Sequence, residues 1–246
     1  MKAVVGIFVL NIFCFFNVEG MDLGDLIPLC SANDPELNTC VKNSAQKLIP
    51  QIVKGVPLLK IPPLDPMISP EVKMSENNEK IQIDVSYKNV EQLGFSKTQI
   101  DDVSVDLKNG FMIFNASFPV FSFAGDYVAK GHIFNYQMNG EGKANLTLQN
   151  AKCDLIINFH VENDRIKEDS VVFHYKFHDV YIDYDHVSFT GDEKLAKTTA
   201  EFINENGVEI MNGFKPSLDR YYGNLFREYL RGFFEAFPYS ILFQES

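Results

Sequence analysis

GDEKLAKTTAEFINENGVEIMNGFKPSLDRYYGNLFREYLRGFFEAF, residues 191–237, keeps its apolar positions at helical spacing for longer than any other stretch of the chain. Phe214, Leu218, Tyr221, Tyr222, Leu225, Phe226, Tyr229, Leu230, Phe233 and Phe237 fall at steps of three and four, while Lys215, Asp219, Arg227, Glu228 and Arg231 mostly fill the other side. Fully helical, the segment reaches about 65–70 Å. Gly207, Gly213 and Pro216 are therefore expected to kink or split it. A core helix explains any single apolar position, but a stripe this long needs a large partner surface. The strands upstream are the only candidates.

Between 81 and 189 the apolar period changes to two. Ile81, Ile83, Val85 and Tyr87 oppose Gln82, Asp84 and Ser86; Val103, Val105 and Leu107 oppose Ser104 and Asp106; Met112, Phe114, Ala116 and Phe118 continue the pattern. Further runs lie near 126–137, 143–149, 151–162, 170–178 and 180–189, and Lys108-Asn109-Gly110 and Asn139-Gly140-Glu141-Gly142 are hairpin material. Seven or eight antiparallel strands, with one helix before and a longer one after, make an α+β chain. The first helix is signalled by Asp34 as cap, Pro35 and Glu36 in the first turn, and Gly55 with Pro57 as a stop. Leu37, Val41, Leu48 and Ile52 form its buried side, and Pro50 is expected to bend it. Prolines 57, 62, 63, 66 and 70 then favour an extended arm that still offers Leu58, Leu59, Ile61 and Leu64 for packing.

Residues 1–20 read as a secretory signal peptide: Lys2, an apolar run from Ala3 to Phe16, and Val18-Glu19-Gly20 as the cleavage site. The apolar run is too short for the roughly 20 residues that span a bilayer. Residues 21–246 are expected to form one secreted domain, with no stable membrane insertion. Net charge is −11, which disfavours nucleic acid and anionic membrane surfaces as partners and favours solubility. Of four cysteines, Cys14 lies in the leader. In an oxidising compartment Cys30 and Cys40 are close enough to close a small loop by a disulfide. Cys153 shares an apolar strand face with Leu155, Ile157, Phe159 and Val161, so a buried inert thiol is set against an intermolecular disulfide or a reactive nucleophile. Asn115-Ala116-Ser117 and Asn145-Leu146-Thr147 are glycosylation sequons on the polar side of their strands.

No catalytic set emerges. The chain has no G-x-S-x-G elbow, no phosphate-binding G-x-x-x-x-G-K-[ST] loop and no H-E-x-x-H, and the stretch from Gly140 to Asn145 fails the dinucleotide fingerprint at its last glycine. His174 and His178 pair as metal ligands only on a helix; on a strand they stand about 13 Å apart. Asp179, Asp183, Asp185 and His186 match no calcium loop, and alternation makes the aspartates a solvated strand face.

Several pieces nevertheless stand in one order. Pro28-Leu29-Cys30, Asp34-Pro35-Glu36-Leu37-Asn38-Thr39-Cys40-Val41, Gly55-Val56-Pro57-Leu58, Ile61-Pro62-Pro63-Leu64-Asp65-Pro66, Gly94-Phe95-Ser96, Gly125-Asp126-Tyr127, Gly140-Glu141-Gly142, Phe202-Ile203-Asn204-Glu205-Asn206 and the closing stretch with Pro238 resemble the insect takeout and juvenile-hormone-binding protein family. The ordered set carries the resemblance, above all the two-cysteine helix start followed by the proline arm. It implies a TULIP-like (tubular lipid-binding) fold, a long carboxy-terminal helix wrapped by a highly curved antiparallel sheet around a tunnel for one hydrophobic ligand. The family similarly implies extracellular, haemolymph-type carriers of juvenile hormone, related terpenoids or fatty-acid-like lipids, with no cofactor and links to feeding, circadian rhythm and chemosensation. Hormone carriers of the family tie a strand to the long helix by a second disulfide, whereas Cys153 has no mate downstream; the usual Asn-Trp is Asn206-Gly207, and the chain has no tryptophan. These departures point to the broader takeout-like branch.

The expected ligand-binding residues are Ile210, Phe214, Leu218, Tyr222 and Phe226 on the helix and Phe114, Phe134, Leu146, Phe173 and Tyr175 on strands curled round it, with Tyr222 offering a hydroxyl. At roughly 25 cal/mol per Å² of buried apolar surface, a chain of about 15 to 18 carbons binds tightly with one or two hydrogen bonds. Charged, sequon-bearing outer strand faces are expected to leave the protein a monomer. The competing functions are a structural or signalling partner with a filled core and a lipid esterase, the second lacking any motif for nucleophile and base.

Overall fold

The computed structural model describes residues 28–182 and 193–245. The expected leader, Asp183, Asp185, His186 and the end of the last strand run lie outside these. Strand β1 (Cys30–Ser31) is followed by helix α1 (Leu37–Ile52), a 3-10 turn at Pro57–Leu59, and strands β2 (Met67–Asn77), β3 (Ile81–Leu93), β4 (Gln99–Asp106), β5 (Phe111–Ile133), β6 (Tyr136–Gln137), β7 (Gly140–Glu162), β8 (Arg165–Lys176) and β9 (Asp179–Ile182). Helices α2 (Glu193–Gly213), α3 (Lys215–Ala236) and α4 (Tyr239–Leu242) and strand β10 (Phe243–Gln244) complete the order, and β10 pairs parallel with β1.

The sheet is antiparallel and strongly curved, a half-barrel around the carboxy-terminal helices. Its spine is the pair β5 and β7, each 23 residues long. Each spine strand carries two shorter strands end to end: β4 then β3 along β5, β9 then β8 along β7. Alternation reads as expected in β3, where Ile81, Ile83 and Val85 are buried and Gln82 and Asp84 exposed. The separate runs expected at 126–137, 143–149 and 151–162 are corrected, because β5 and β7 each continue through a reversal of phase. In β5 the inward residues are Met112, Ala116 and Phe118, then Phe121, Tyr127 and Ala129, with Pro119 and Val120 both exposed between them. In β7 the reversal falls at Gln149 and Asn150, directly opposite, and Asn150 takes φ 51°. A strict period of two breaks there although the ladder does not. The 134–135 turn, not Asn139 to Gly142, reverses the chain before β7, and β2 begins at Met67, inside the last four residues of the stretch that the prolines marked as an arm.

The helical rod divides once. Gly207 lies inside α2 and does not break it; a Cβ there would meet Val180 Cβ at 2.7 Å, so this glycine serves close packing on β9. The kink falls at Phe214, between Gly213 and Pro216, and the ladder still bridges it: Phe214 N–H donates to Ile210 O at 3.1 Å and Leu218 N–H to Phe214 O at 3.1 Å. Proline removes one donor, and its geometry frees neighbouring backbone groups. The β2–β3 hairpin satisfies them. Glu76 Oε1 accepts from Ser217 N–H at 2.9 Å, and Asn78 Nδ2 donates to Gly213 O at 3.4 Å. The Glu76 carboxylate also meets the positive end of α3.

At the amino end, Asp34 Oδ1 accepts from Glu36 N–H at 2.8 Å, shaping the turn before α1; the expected helix cap thus stands three residues ahead of the observed start. Cys30 and Cys40 are disulfide-bonded and Cys153 is free and buried. The proline arm packs as expected, burying Leu59, Ile61 and Leu64 and fixed by Asp65, whose carboxylate accepts from Gly94 N–H (3.1 Å) and Ser96 N–H (2.7 Å).

Two helical glycines of α3 are expected to respond oppositely to alanine. Added Cβ at Gly232 would stand 2.4 Å from the Leu59 carbonyl oxygen, whereas at Gly223 the nearest atom is Val171 O at 3.5 Å. Gly223→Ala should raise stability by about 0.5–1 kcal/mol through helix propensity. Gly232→Ala should lower it by about 1–3 kcal/mol through overpacking, as read by urea unfolding.

Candidate ligand-binding site

Two apolar cavities lie between the helical rod and the concave face of the sheet. The smaller, 130 Å³, sits at the kink and is lined by Ile83, Val85, Tyr87, Tyr127, Leu146, Tyr175, Ile210, Phe214, Leu218 and Tyr222 among others. The larger, 290 Å³, lies further along α3 under α1 and the proline arm, bounded by Leu48, Ile52, Leu64, Phe114, Cys153, Phe173, Phe226, Tyr229 and Phe233. Their division coincides with the phase reversal of the spine strands: Phe121 and Leu148 face the smaller cavity, Phe118 and Cys153 the larger.

An aromatic wall separates them. Tyr222 stands 5.1 Å from Tyr175, 5.7 Å from Phe173 and 6.5 Å from Phe121, centroid to centroid, and Phe173 stacks on Phe226 at 5.0 Å. Edge-to-face and offset contacts of this kind add to the plain burial of area. A buried polar chain runs beside the wall: Tyr222 O–H donates to Gln92 Oε1, and Gln92 Nε2 reaches Ser69 Oγ at 3.4 Å and Tyr221 Oη at 3.3 Å. Gln92 is fully buried, so its pairing is what makes its position tolerable.

Of the ten residues expected from the sequence, Leu146, Tyr175, Ile210, Phe214, Leu218 and Tyr222 line the smaller cavity and Phe114, Phe173 and Phe226 the larger. Phe134 lines neither and is a correction: it sits in the turn after β5 with φ 50°, its N–H donating to Lys80 O at 2.6 Å and its ring against Phe202. Strand alternation had run past the point where the chain turns. The Tyr222 hydroxyl, expected to face ligand, gives its proton to Gln92 instead. Roof residues Leu48, Ile52 and Leu64 and the β3 face Ile83, Val85 and Tyr87 were missed as lining, though their periodicity already marked them as buried.

The remaining candidates resolve into structure. His174 Nδ1 pairs with Asp219 Oδ2 at 2.7 Å, and Lys215 Nζ contacts the same carboxylate at 3.0 Å and the Tyr175 carbonyl at 3.0 Å, clamping β8 to α3. His178 and Asp179 are exposed, and among the described residues no group is placed to hold a metal. Asn115 Nδ2 donates to Asp154 Oδ1 at 2.7 Å within the sheet, and Asn145 is half-buried in β7 opposite Ala124. Burial, the largest cause in each case, pushes Cys153 up to about 12 and Tyr87 and Tyr127 up to about 12, and raises Tyr175 and Tyr222 further.

With this geometry in hand, the comparison with known proteins decides the lineage. Residues 9–244 match the family model described as haemolymph juvenile hormone binding protein. The chain belongs to that family. A Schistocerca gregaria protein whose name proposes β-carotene binding is 30% identical over 122 residues, covering 49% of this chain and 47% of that one. The chain thus matches about half the length of that relative. Epiphyas postvittana Takeout 1 superposes over 88% of this chain and 99% of its own, with TM-score 0.75 and 19% identity, and so shares the fold. Among the described residues no helix is long and apolar enough to cross a membrane.

Two consequences of burial are measurable. Native protein at pH 8 should leave Cys153 unmodified by a thiol reagent that labels it promptly after unfolding, because the thiolate is the reactive form. Stability should also fall as pH rises from about 9 to about 12. The thiol's ordinary value is 9.0 and its folded value about 12, so the neutral form stabilises the fold below the first and that contribution is lost toward the second. Urea unfolding midpoints at stepped alkaline pH check the sign.

Proposed function

We propose that this family member is a secreted carrier that takes one hydrophobic small molecule, a terpenoid such as juvenile hormone or a fatty-acid-like lipid, into the space between rod and sheet. The observation that carries the reading is the pair of apolar cavities ringed by aromatic and aliphatic side chains with few polar groups, as ligand sites of this class are. Residues 1–20 act as the leader, and the mature protein circulates as a monomer with neither nucleic acid nor membrane as partner. The reading calls for no catalysis: among the described residues that line the two cavities there is no histidine, aspartate, glutamate or lysine to act as a base. Family membership and the name of the locust relative agree with an apolar cargo and extend the set worth testing to polyenes.

Native mass spectrometry of protein secreted by insect cells should show a bound small molecule that organic extraction removes. Extracted protein should then take up juvenile hormone, a C16 fatty acid or a carotenoid, whichever class it carries. Protein that is empty as secreted and takes up none of the three contradicts the reading. Phe226→Trp places extra volume in the larger cavity and should weaken uptake at least tenfold while leaving the unfolding midpoint nearly unchanged. In a filled core the same change would instead lower stability by about 1–3 kcal/mol. Light scattering at micromolar concentration should return the mass of one chain, and a stable dimer would contradict the monomer.

A further inference from the structure

We propose that Tyr175 is the polar recognition point of the binding space, and that the cargo carries a hydrogen-bond-accepting oxygen in the interior of an apolar chain, not at its end. The proposal deepens the carrier reading and rests on it. Buried polar groups in folded proteins are almost always partnered. Among the described residues two buried side-chain polar atoms are not: Arg227 Nε, which borders neither cavity, and the Tyr175 hydroxyl, which belongs to the wall between them. Every other hydroxyl at that wall is occupied. Tyr222 donates to Gln92, and Ser69 Oγ and Tyr221 Oη pair with each other at 2.8 Å and with Gln92 Nε2. The Tyr175 hydroxyl leans toward the Tyr222 oxygen, a side-chain contact that raises Tyr175, but it falls short of hydrogen-bond geometry, and the Tyr222 proton is already given to Gln92.

The backbone of Tyr175 is held at both ends, its N–H donating to Asp219 Oδ1 at 3.3 Å and its carbonyl accepting from Lys215 Nζ at 3.0 Å. The ring is thereby fixed at the junction of the cavities, with the unpartnered hydroxyl in the wall. Ligand sites usually measure about 300–1,000 Å³. At 130 and 290 Å³ neither cavity reaches that range alone, and joined they do. A cargo that fills both has to part the Tyr175 and Tyr222 rings, and parting them uncovers the hydroxyl. The group that meets it is then mid-chain, with an apolar arm in each cavity. A terminal carboxylate at this wall would leave one cavity empty and set a charge among rings, at a large desolvation cost. A ketone, ester or ether oxygen meets the hydroxyl without that charge.

The test is displacement of N-phenyl-1-naphthylamine from delipidated protein by 9-heptadecanone, 2-heptadecanone and heptadecane. Wild-type protein should release the probe at about tenfold lower concentration of 9-heptadecanone than of heptadecane, the worth of one well-placed hydrogen bond. Moving the carbonyl to the chain end in 2-heptadecanone should abolish most of that preference. Tyr175→Phe should bring the ratio of 9-heptadecanone to heptadecane close to one, keep heptadecane binding, and hold or raise the unfolding midpoint, since an unpartnered hydroxyl is removed. Equal displacement by all three ligands in wild type, or a preference that survives Tyr175→Phe, overturns the proposal and leaves the carrier reading standing. A wild-type protein that takes up neither probe nor any of the three overturns both.

Discussion

Seating α3 in the concave face of the sheet is the contact on which the remainder of the structure depends. Its 22 residues carry aromatic or aliphatic side chains over so much of their circumference that a flat sheet would leave a flank in water. The sheet therefore curls, and its length must match the rod. Two 23-residue strands meet that need, each reversing phase midway so that apolar side chains continue to face inward as the sheet bends. The hairpin of β2 and β3 then holds the kink, because Glu76 and Asn78 satisfy the backbone groups that Pro216 and Gly213 release.

A rod so covered is not uniformly packed. Where the phase reverses, Phe121, Phe173, Tyr175 and Tyr222 close into a wall, and on either side the sheet stands far enough from the helix to leave apolar space. The same aromatic surplus that forces the sheet to curve thus leaves room that side chains do not fill. Apolar voids of this kind lack the polar partners that hold water in place. Hydrophobic cargo gains what the solvent does not.

Much of this was legible in the sequence, and the illegible parts share a cause. The helical stripe, the two-residue period and the Cys30–Cys40 pairing follow from spacing, because burial on one face imposes a repeat that a reader can count, whereas setting strand residues against the helix also needed the curled sheet that the resemblance implied. What escaped lies where the repeat is interrupted without the structure ending. The break between the runs 143–149 and 151–162 is not a strand boundary but the bend, flanked by the pairs Val120–Gln149 and Phe118–Ala151. Phe134 has the parity of a lining residue but falls beyond the strand, and Tyr222 is in place yet already bonded to Gln92, 130 positions away. The family resemblance supplied the enclosing topology. It could not supply the wall, which is set by individual ring contacts.

The central claim is that the space along α3 is one binding region in two chambers. A crystal structure of the secreted protein, purified without delipidation and then under xenon pressure after delipidation, tests it most directly. The account predicts continuous ligand density crossing the Tyr175–Tyr222 wall in the first crystal and xenon in both chambers of the second. Side chains filling both chambers, with neither ligand nor xenon along the helix, would contradict it.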